Sequence, residues 1–224
     1  KHSSMQTRAY GTWESPIAAA ALARSSIALS SVRAWNGRPH WLESRPAEGG
    51  RYVVVTSAAS GKIKVLTPEG YNVRTRVHEY GGMPYVVGTD ALYFSNFSDQ
   101  RLYVQRGGAA PEPLTPEGYR YADCELDPPG GHLYCVREDH TAGGEPANAI
   151  VSLPTAGGTP GQVLFGESDF VAYPRVSPDG RRIAWIAWDH PDMPWDSSRL
   201  YVADLTGDVR IRANEKKRRR RSSV

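Results

Sequence analysis

Short runs in which apolar and polar residues alternate follow one another from Ile27 onward, with Gly, Pro, Asp or Asn between most of them. A two-residue alternation indicates a β-strand with one buried face, and Gly and Pro mark the turns between strands. The runs that predict strands are 39–43, 51–55, 62–66, 74–80, 85–87, 92–94 and 101–104. The pattern therefore predicts an all-β protein.

The N-terminal part of the chain has a different pattern. Ser15 and Pro16 precede a stretch at 17–23 that is mostly alanine. Ser favours the N-cap of a helix and Pro its first position, so this stretch predicts a short helix. We therefore expect residues 1–26 to form an N-terminal segment with a short helix that packs on the β-structure.

Three repeated motifs indicate the architecture. Leu-Thr-Pro-Glu-Gly-Tyr at 66–71 recurs at 114–119, Arg-Leu-Tyr-Val at 101–104 recurs at 199–202, and the segment around the turn at 128–131 matches the one around Ser-Pro-Asp-Gly at 177–180. A period of roughly 40–50 residues with four strands in each unit is typical of a β-propeller. We predict a partial β-propeller over 27–210, with about four four-stranded blades at 27–69, 71–117, 119–169 and 170–208.

Charge and composition exclude some functions. The 224 residues carry a formal net charge of +3, but the run from Lys216 to Arg221 supplies six of the positive charges. Without that run the chain is mildly acidic, so its body does not predict a nucleic-acid surface. Residues 211–224 have no periodicity and are predicted to be a disordered basic tail. A truncation or frameshift scar and a solvated tail are favoured over a nuclear-import or nucleic-acid-binding tag.

The compartment is predicted from the same kind of pattern. No apolar run approaches the ~20 residues of a membrane span, and the N-terminus lacks the apolar core of a secretory signal. Cys124 and Cys135 are the two cysteines. A hairpin around 128–131 would place them opposite one another and make a disulfide geometrically feasible. Cysteine scarcity and the missing signal favour free thiols in the cytoplasm.

The segment Arg-Thr-Arg-Val-His-Glu-Tyr-Gly-Gly at 74–82 combines several functional side chains. In an extended segment, alternation places Arg74, Arg76, His78 and Tyr80 on one side, and Thr75, Val77 and Glu79 on the other. The two glycines then permit a turn that a side chain would obstruct. A polar face this dense indicates a role beyond strand pairing.

The same segment resembles part of the N-terminal β-propeller of bacterial dipeptidyl aminopeptidase/acylaminoacyl-peptidase-type proteins of the prolyl oligopeptidase family. Residues 10–17 are similar to the opening of these proteins, and Trp188 with 189–196 is similar to another of their segments. Their propellers have seven or eight blades, so the chain looks like a truncated first half of one. We expect the open blade edges to make it marginally stable or self-associating.

The resemblance implies a function without catalytic residues in this chain. The family's serine lies in a Gly-x-Ser-x-Gly turn of an α/β-hydrolase domain, and 166–170 comes closest but lacks the closing glycine. The expectation is therefore a noncatalytic propeller portion of a serine exo- or oligopeptidase. It would control access of peptide substrate and pack on the α/β-hydrolase domain that is missing from this chain. The alternative is a noncatalytic propeller scaffold that binds another protein.

The residues predicted to control substrate access or to contact the catalytic domain are Arg74, Arg76, His78, Glu79, Tyr80 and Trp195. The alternative for the first five is an internal network between blades, in which Arg76 and Glu79 pair locally. Trp195 is expected to pack between strands or on the partner domain rather than bind a ligand, and His140 is expected to be solvated. One His and three Asp at 189–196 are poor support for a metal site, so we predict neither a metal nor a cofactor.

Overall fold

The computed structural model describes residues 7–13, 26–58 and 60–205. Its fifteen strands form antiparallel sheets that follow one another along the chain. The first blade contains β1 (Ala28–Trp35), β2 (Arg38–Arg45), a 3-10 helix (Pro46–Glu48), β3 (Arg51–Ser57) and β4 (Ile63–Val65). The second contains β5 (Tyr85–Val87), β6 (Ala91–Ser95), β7 (Leu102–Arg106) and β8 (Glu112–Pro113). No helix in these ranges could span a membrane.

The third blade contains β9 (Tyr119–Leu126), β10 (His132–Asp139), β11 (Ala147–Pro154) and β12 (Gln162–Phe165), and the fourth contains β13 (Phe170–Val176), β14 (Arg182–Trp188) and β15 (Arg199–Asp204). Within each blade the strands pair in sequence order. β5 lies beside β9, and β9 lies beside β13, so the first strand of each blade is the innermost one. This is the arrangement of a β-propeller. The predicted all-β partial propeller is confirmed, whereas the predicted helix at 15–23 and the tail at 211–224 lie outside the described residues.

Apolar side chains fill the space between neighbouring blades. Leu42 and Val54 of the first blade pack with Tyr85 and Phe94 of the second. Between the second and the third blade, the packed side chains are Leu102, Val104, Tyr121 and Leu133. Between the third and the fourth blade, they are Ile150, Phe165, Trp185 and Tyr201. Full burial of one such side chain contributes about 1.5–3 kcal/mol. Packing of sheet on sheet is therefore the main source of stability.

The repeated Leu-Thr-Pro-Glu-Gly-Tyr motif has the same structural role in both copies. The hydroxyl of Thr67 accepts the backbone N–H of Val54 at 3.0 Å, and the hydroxyl of Thr115 accepts that of Leu102 at 3.1 Å. Each threonine thus extends the pairing of the third strand beyond the short fourth strand of its blade. The repeat found in the sequence is therefore a blade-closing motif.

The innermost strands carry β-bulges. The register with the second strand shifts at Ser31 in β1, at Asp123 in β9 and at Tyr173 in β13, and the φ angles of these residues are 55°, 55° and 53°. A bulge bends the strand and redirects a side chain. The bulges therefore change which groups the inner strands present to neighbouring blades and to the propeller axis.

Two ends of the propeller can be distinguished. Because neighbouring strands are antiparallel, the loops that enter each first strand lie at the same end as those that join second to third strands. We call this end the upper face; its loops are 66–84, 114–118, 166–169, 46–50, 96–101, 140–146 and 189–198. The opposite end, with the turns at 127–131 and 177–181, is the lower face. All six residues that the sequence singled out lie at the upper face.

Cys124 and Cys135 form a disulfide, so the prediction of free thiols is wrong for this structure. Tyr134 pairs with Glu125 and Val136 with Ala122, which places Cys135 against the bulge. The Cα atoms of the two cysteines are therefore only 4.2 Å apart. The sequence argument failed because it weighed cysteine number and compartment, whereas the bulge that brings the two together is a local feature of β9.

The disulfide can be tested by alkylation of the denatured chain. We expect iodoacetamide to modify neither cysteine before reduction and both cysteines after reduction, as measured by intact-mass spectrometry. The variant Cys124→Ser is the control, because its remaining Cys135 should react without reductant. Modification of both cysteines in the unreduced chain would support free thiols and, with them, the predicted cytoplasmic location.

Candidate functional site at the upper face

The loop 66–84 is extended only in part. Val73, Thr75 and Val77 are buried while Arg74 and Arg76 are exposed, as the alternation predicts. The chain then turns, because the carbonyl of Arg76 accepts the N–H of Glu79 at 2.9 Å and that of Val77 accepts the N–H of Gly81 at 2.8 Å. The prediction of a strand over 74–80 is therefore wrong, and a turn replaces its second half.

The turn depends on unusual backbone angles and on the two glycines. His78 and Glu79 have φ angles of 53° and 61°, which non-glycine residues rarely adopt. A Cβ at Gly81 would lie 2.9 Å from the carbonyl oxygen of Thr75, and one at Gly82 would lie 3.0 Å from the carboxylate of Asp123. The predicted role of the glycine pair is therefore confirmed: a side chain at either position would obstruct the turn or its contact with β9.

Arg76, Glu79 and Arg120 form a network between the second and third blades. The Glu79 carboxylate accepts from Arg76 Nη2 at 2.8 Å and from Arg120 Nη1 at 2.7 Å. Hydrogen bonds from Arg120, and then from Arg76, lower the pKa of Glu79 to about 2. This is the local pairing that the inter-blade alternative expects of Arg76 and Glu79. Because Arg76 and Glu79 are exposed, the network orients the loop more than it stabilises the fold.

A buried carboxylate holds the turn from below. Glu138 of β10 is almost fully buried and accepts the backbone N–H of His78. Its second oxygen lies 3.0 Å from Nε2 of His140 and 3.7 Å from Nη1 of Arg120. The sequence suggested that His140 is solvated, but its ring is paired with Glu138. A buried carboxylate with several partners is a strong local constraint on the surrounding backbone.

The imidazole of His78 lies among aromatic rings. Its centroid is 5.6 Å from Tyr80, 5.5 Å from Phe170 and 5.5 Å from Trp188, so residues of the second and fourth blades meet over the third. Burial lowers the pKa of His78, an effect only partly offset by the nearby charge of Glu138. His78 is consequently held as a neutral ring within an aromatic cluster.

Arg74 differs from Arg76 in its surroundings. Its guanidinium lies 4.8 Å from the ring centroid of Phe97 and 5.9 Å from that of Tyr52. None of the ion pairs in the described part of the chain includes Arg74. In the described part of the chain the Arg74 guanidinium is therefore held by aromatic rings and not by an acidic side chain.

Trp195 lies in the upper-face loop that joins β14 to β15. Its side chain is 76% exposed, so the prediction that it packs between strands is wrong for the residues described here. In the same loop Arg199 pairs with Asp189, and Nδ1 of His190 lies 3.1 Å from the carboxylate of Asp169. The loop is fixed at its base, which leaves the tryptophan presented to solvent.

In the described part of the upper face, no hydrogen-bonded group of serine, histidine and carboxylate is found. Ser168 is next to the Asp169–His190 pair in sequence, but none of the hydrogen bonds found in residues 26–58 and 60–205 joins its hydroxyl to that histidine. Over the same ranges, no group of three or more His, Cys, Asp or Glu residues is arranged to hold a metal ion. What the face offers is a surface of aromatic and paired charged groups.

Sequence reasoning missed five residues that build this face: Arg120, Asp123, Glu138, Phe170 and Trp188. The carboxylate of Asp123 accepts the N–H of Met83 at 2.8 Å and that of Tyr173 at 3.2 Å, and so joins the second, third and fourth blades. Asp123 between Ala122 and Cys124, in the middle of the inner strand, was the available signal. Glu138 offered the same signal near the end of β10.

No family model matches the chain. Among solved structures, puromycin hydrolase is 37% identical with a TM-score of 0.83, over 94% of this chain and 35% of that one. A puromycin-hydrolyzing peptidase of Mycobacterium tuberculosis is 38% identical with a TM-score of 0.82, over 93% and 35%. Dipeptidyl-peptidase 5 of Porphyromonas gingivalis is 41% identical over 49 residues, which are 22% of this chain and 7% of that protein.

The chain is a β-propeller region similar to part of these two puromycin-hydrolysing proteins. It spans about a third of the length of the two puromycin-cleaving proteins, 35% in each case. A prolyl endopeptidase at 16% identity with a TM-score of 0.59 and a TolB at 13% with a TM-score of 0.55 share the fold alone. Residues 74–82 resemble a segment of prolyl oligopeptidase-family propellers, and these matches support that resemblance over nearly the whole described chain.

The partly buried His78 and the buried His40 predict a pH dependence of the stability. Burial is the main reason why the pKa values of His78 and His40 lie below the ordinary 6.5. The unfolded chain therefore binds protons first as the pH falls, and the free energy of unfolding should decrease from about pH 6.5 downward to the lower folded-state pKa values. Urea unfolding followed by tryptophan fluorescence at several pH values measures this slope.

The variant His78→Asn should make this slope less steep, because asparagine tolerates a positive φ angle but does not titrate. His132→Asn, at an exposed histidine beside the lower-face turn 127–131, is the control for the loss of a histidine as such. An identical slope in His78→Asn and the parent chain would contradict the buried, neutral state of His78.

Proposed function

We propose that the chain is the noncatalytic propeller portion of a serine peptidase of the prolyl oligopeptidase family. The observation that carries this proposal is the 37% identity to puromycin hydrolase over 94% of the chain, together with a TM-score of 0.83. In this proposal the nucleophile, base and acid belong to an α/β-hydrolase domain outside this chain. The propeller contributes packing on that domain and control over which peptides reach it.

The upper face is the surface proposed to point toward the catalytic domain. Arg74, Arg76, His78, Glu79, Tyr80 and Trp195 all lie there, although they come from loops far apart in the sequence. Arg74 lacks an ion pair in the described chain, and Trp195 is exposed, as expected of groups that complete their contacts on another domain. The turn with His78 and Tyr80 lies closer to the axis, where an extended peptide would pass.

The docking role of Arg74 can be tested in trans. The purified chain would be mixed with the α/β-hydrolase domain of a puromycin-hydrolysing relative, and binding would be measured by isothermal titration calorimetry. Arg74→Glu should weaken binding by about tenfold or more, because an attraction to an acidic partner becomes a repulsion.

Arg181 provides the matched control for that experiment. It is an exposed arginine at the lower-face turn 177–181, so Arg181→Glu makes the same charge change at the opposite end of the propeller. Equal weakening by both variants would indicate a general charge effect, and undiminished binding of Arg74→Glu would count against docking through the upper face.

We further propose that the chain associates with itself through its last sheet. Ile183, Trp185 and Tyr201 face the third blade, so Ile186 and Leu200 point away from it, and the Leu200 side chain is 57% exposed. The face opposite the third blade is therefore apolar and uncovered in the described chain. Burial of this face against a second copy would be favourable.

Sedimentation velocity tests this association. The parent chain should contain dimers or larger species whose share rises with protein concentration, and Leu200→Glu should shift it toward monomer. Met193→Glu is the control, because Met193 is an exposed apolar residue of the upper-face loop 189–198. A strict monomer at all concentrations would overturn this proposal.

A further inference from the structure

Backbone strain is concentrated on the axial side of the third blade. Seven non-glycine residues in the described chain have a positive φ, and four of them, His78, Glu79, Asp123 and Tyr173, lie around one place. Such conformations each cost about 1–3 kcal/mol and persist where the surroundings hold them. Because strained residues cluster at binding sites and switches, this place is a candidate site.

Asp123 connects the loop before β5 with β13 at this candidate site. Its carboxylate accepts the N–H of Met83, three residues after Tyr80, at 2.8 Å, and the N–H of Tyr173 at 3.2 Å. Its own N–H donates to the carbonyl of Met83 at 2.8 Å. The backbone positions from which Tyr80 and Tyr173 project are therefore fixed relative to each other.

The two tyrosine side chains are exposed although their backbones are held. Tyr80 is 68% exposed and Tyr173 is 56% exposed. The Tyr80 ring lies 5.6 Å from that of His78, which lies 5.5 Å from Phe170 of β13, the strand that also carries Tyr173. Partial burial of the phenol is the main cause that raises the pKa of Tyr80, and Tyr173 is a further cause. Tyr80 and Tyr173 therefore project from neighbouring elements around Asp123.

The charged groups around the two rings already have partners. Glu79 is bound by Arg76 and Arg120, and the carboxylates of Asp123 and Glu138 accept backbone N–H groups. What remains available is ring surface, with the Tyr80 hydroxyl 3.4 Å from Nδ1 of His78. Tyrosine provides large, rigid contact area at a low cost in conformational entropy.

We propose that Tyr80 and Tyr173 form an aromatic clamp at the propeller axis that binds an aromatic side chain of a peptide substrate. This rests on the proposed function, in which the axial side of the upper face is exposed to peptides. Two rings from blades on either side of the third can contact a flat apolar group from both sides, in offset or edge-to-face packing. The clamp thus assigns a substrate preference to a place outside the catalytic domain.

The proposal is tested by NMR titration of the isotope-labelled 224-residue chain. The probes are the tripeptide amides Phe-Gly-Gly and Ala-Gly-Gly, which differ only in the aromatic ring. We expect Phe-Gly-Gly to shift amide signals near Tyr173 saturably, and Ala-Gly-Gly to bind at least about fivefold more weakly. The amide of Asp123 should be among those that respond.

Three variants locate the binding. Tyr80→Ala and Tyr173→Asn should each weaken Phe-Gly-Gly binding by about fivefold or more, and asparagine is chosen because it tolerates the positive φ of Tyr173. Tyr10→Ala is the matched control, since Tyr10 is a fully exposed tyrosine in the segment 7–13 and its loss should leave the affinity unchanged. The amide spectrum of each variant shows whether it remains folded.

The outcomes separate the clamp from the proposed function. Equal affinity for the two tripeptides, no binding of either, or undiminished binding in both folded variants would overturn the clamp. None of these results would affect docking of the hydrolase domain through Arg74, which is measured separately. Failure of that docking with tyrosine-dependent binding of Phe-Gly-Gly would instead overturn the proposed function and leave an aromatic-binding propeller.

Discussion

The buried carboxylate of Asp123 ties three successive blades together. It is 4% exposed, and a charge so far from water is tolerated only when its hydrogen-bond capacity is filled. The N–H groups of Met83 and Tyr173 fill it from the two flanking blades. Neither partner can move away without leaving a buried acceptor unpaired, at a cost of about 1–3 kcal/mol. Blade packing by apolar side chains is adjustable, whereas this contact fixes the relative position of the inner strands.

The shape of the upper face follows from that constraint. Because Met83 is fixed on Asp123, the chain before it must approach β9 closely, and Gly82 is needed where a Cβ would lie 3.0 Å from the Asp123 carboxylate. The turn above is then held by the second buried carboxylate, Glu138, through the N–H of His78. The ion pairs of Glu79 with Arg76 and Arg120 are the outermost of these contacts. The geometry of these ion pairs follows from the buried contacts of Asp123 and Glu138 below them.

Much of the architecture could be predicted from the sequence because each blade is a local unit. Strand alternation, the turn residues at 177–180 and the threonine of each blade-closing repeat act within one blade. The strand over 74–80 could not be rejected, because the Glu138 carboxylate that turns it lies some sixty residues away. His140 was misplaced for the same reason. Glycine-rich loops are usually solvated, but this histidine meets a buried glutamate at the end of β10.

The repeated blades differ from one another at the bulge of the innermost strand. In the sequence repeat, Tyr121 of the third blade aligns with Tyr173 of the fourth. The structure aligns them differently: Asp123 lies four residues before the turn that begins at 127, and Tyr173 lies four residues before the turn that begins at 177, so Tyr173 occupies the position of Asp123. Ser31, Asp123 and Tyr173 share a left-handed bulge and use it differently. The carbonyl of Ser31 accepts the hydroxyl of Tyr85, Asp123 accepts through its carboxylate, and Tyr173 donates through its N–H.

This divergence has a physical basis. The second and third strands of each blade pack on both sides, so most of their buried residues are apolar types that fill the space between sheets. A bulge on the innermost strand frees one residue from that packing and turns it toward the axis or the next blade. In the first, third and fourth blades the inner bulge is consequently the position at which a new side chain costs least in packing and most changes the groups presented to the axis. A tyrosine there, instead of the serine or aspartate of the other blades, is the difference from which the aromatic clamp follows.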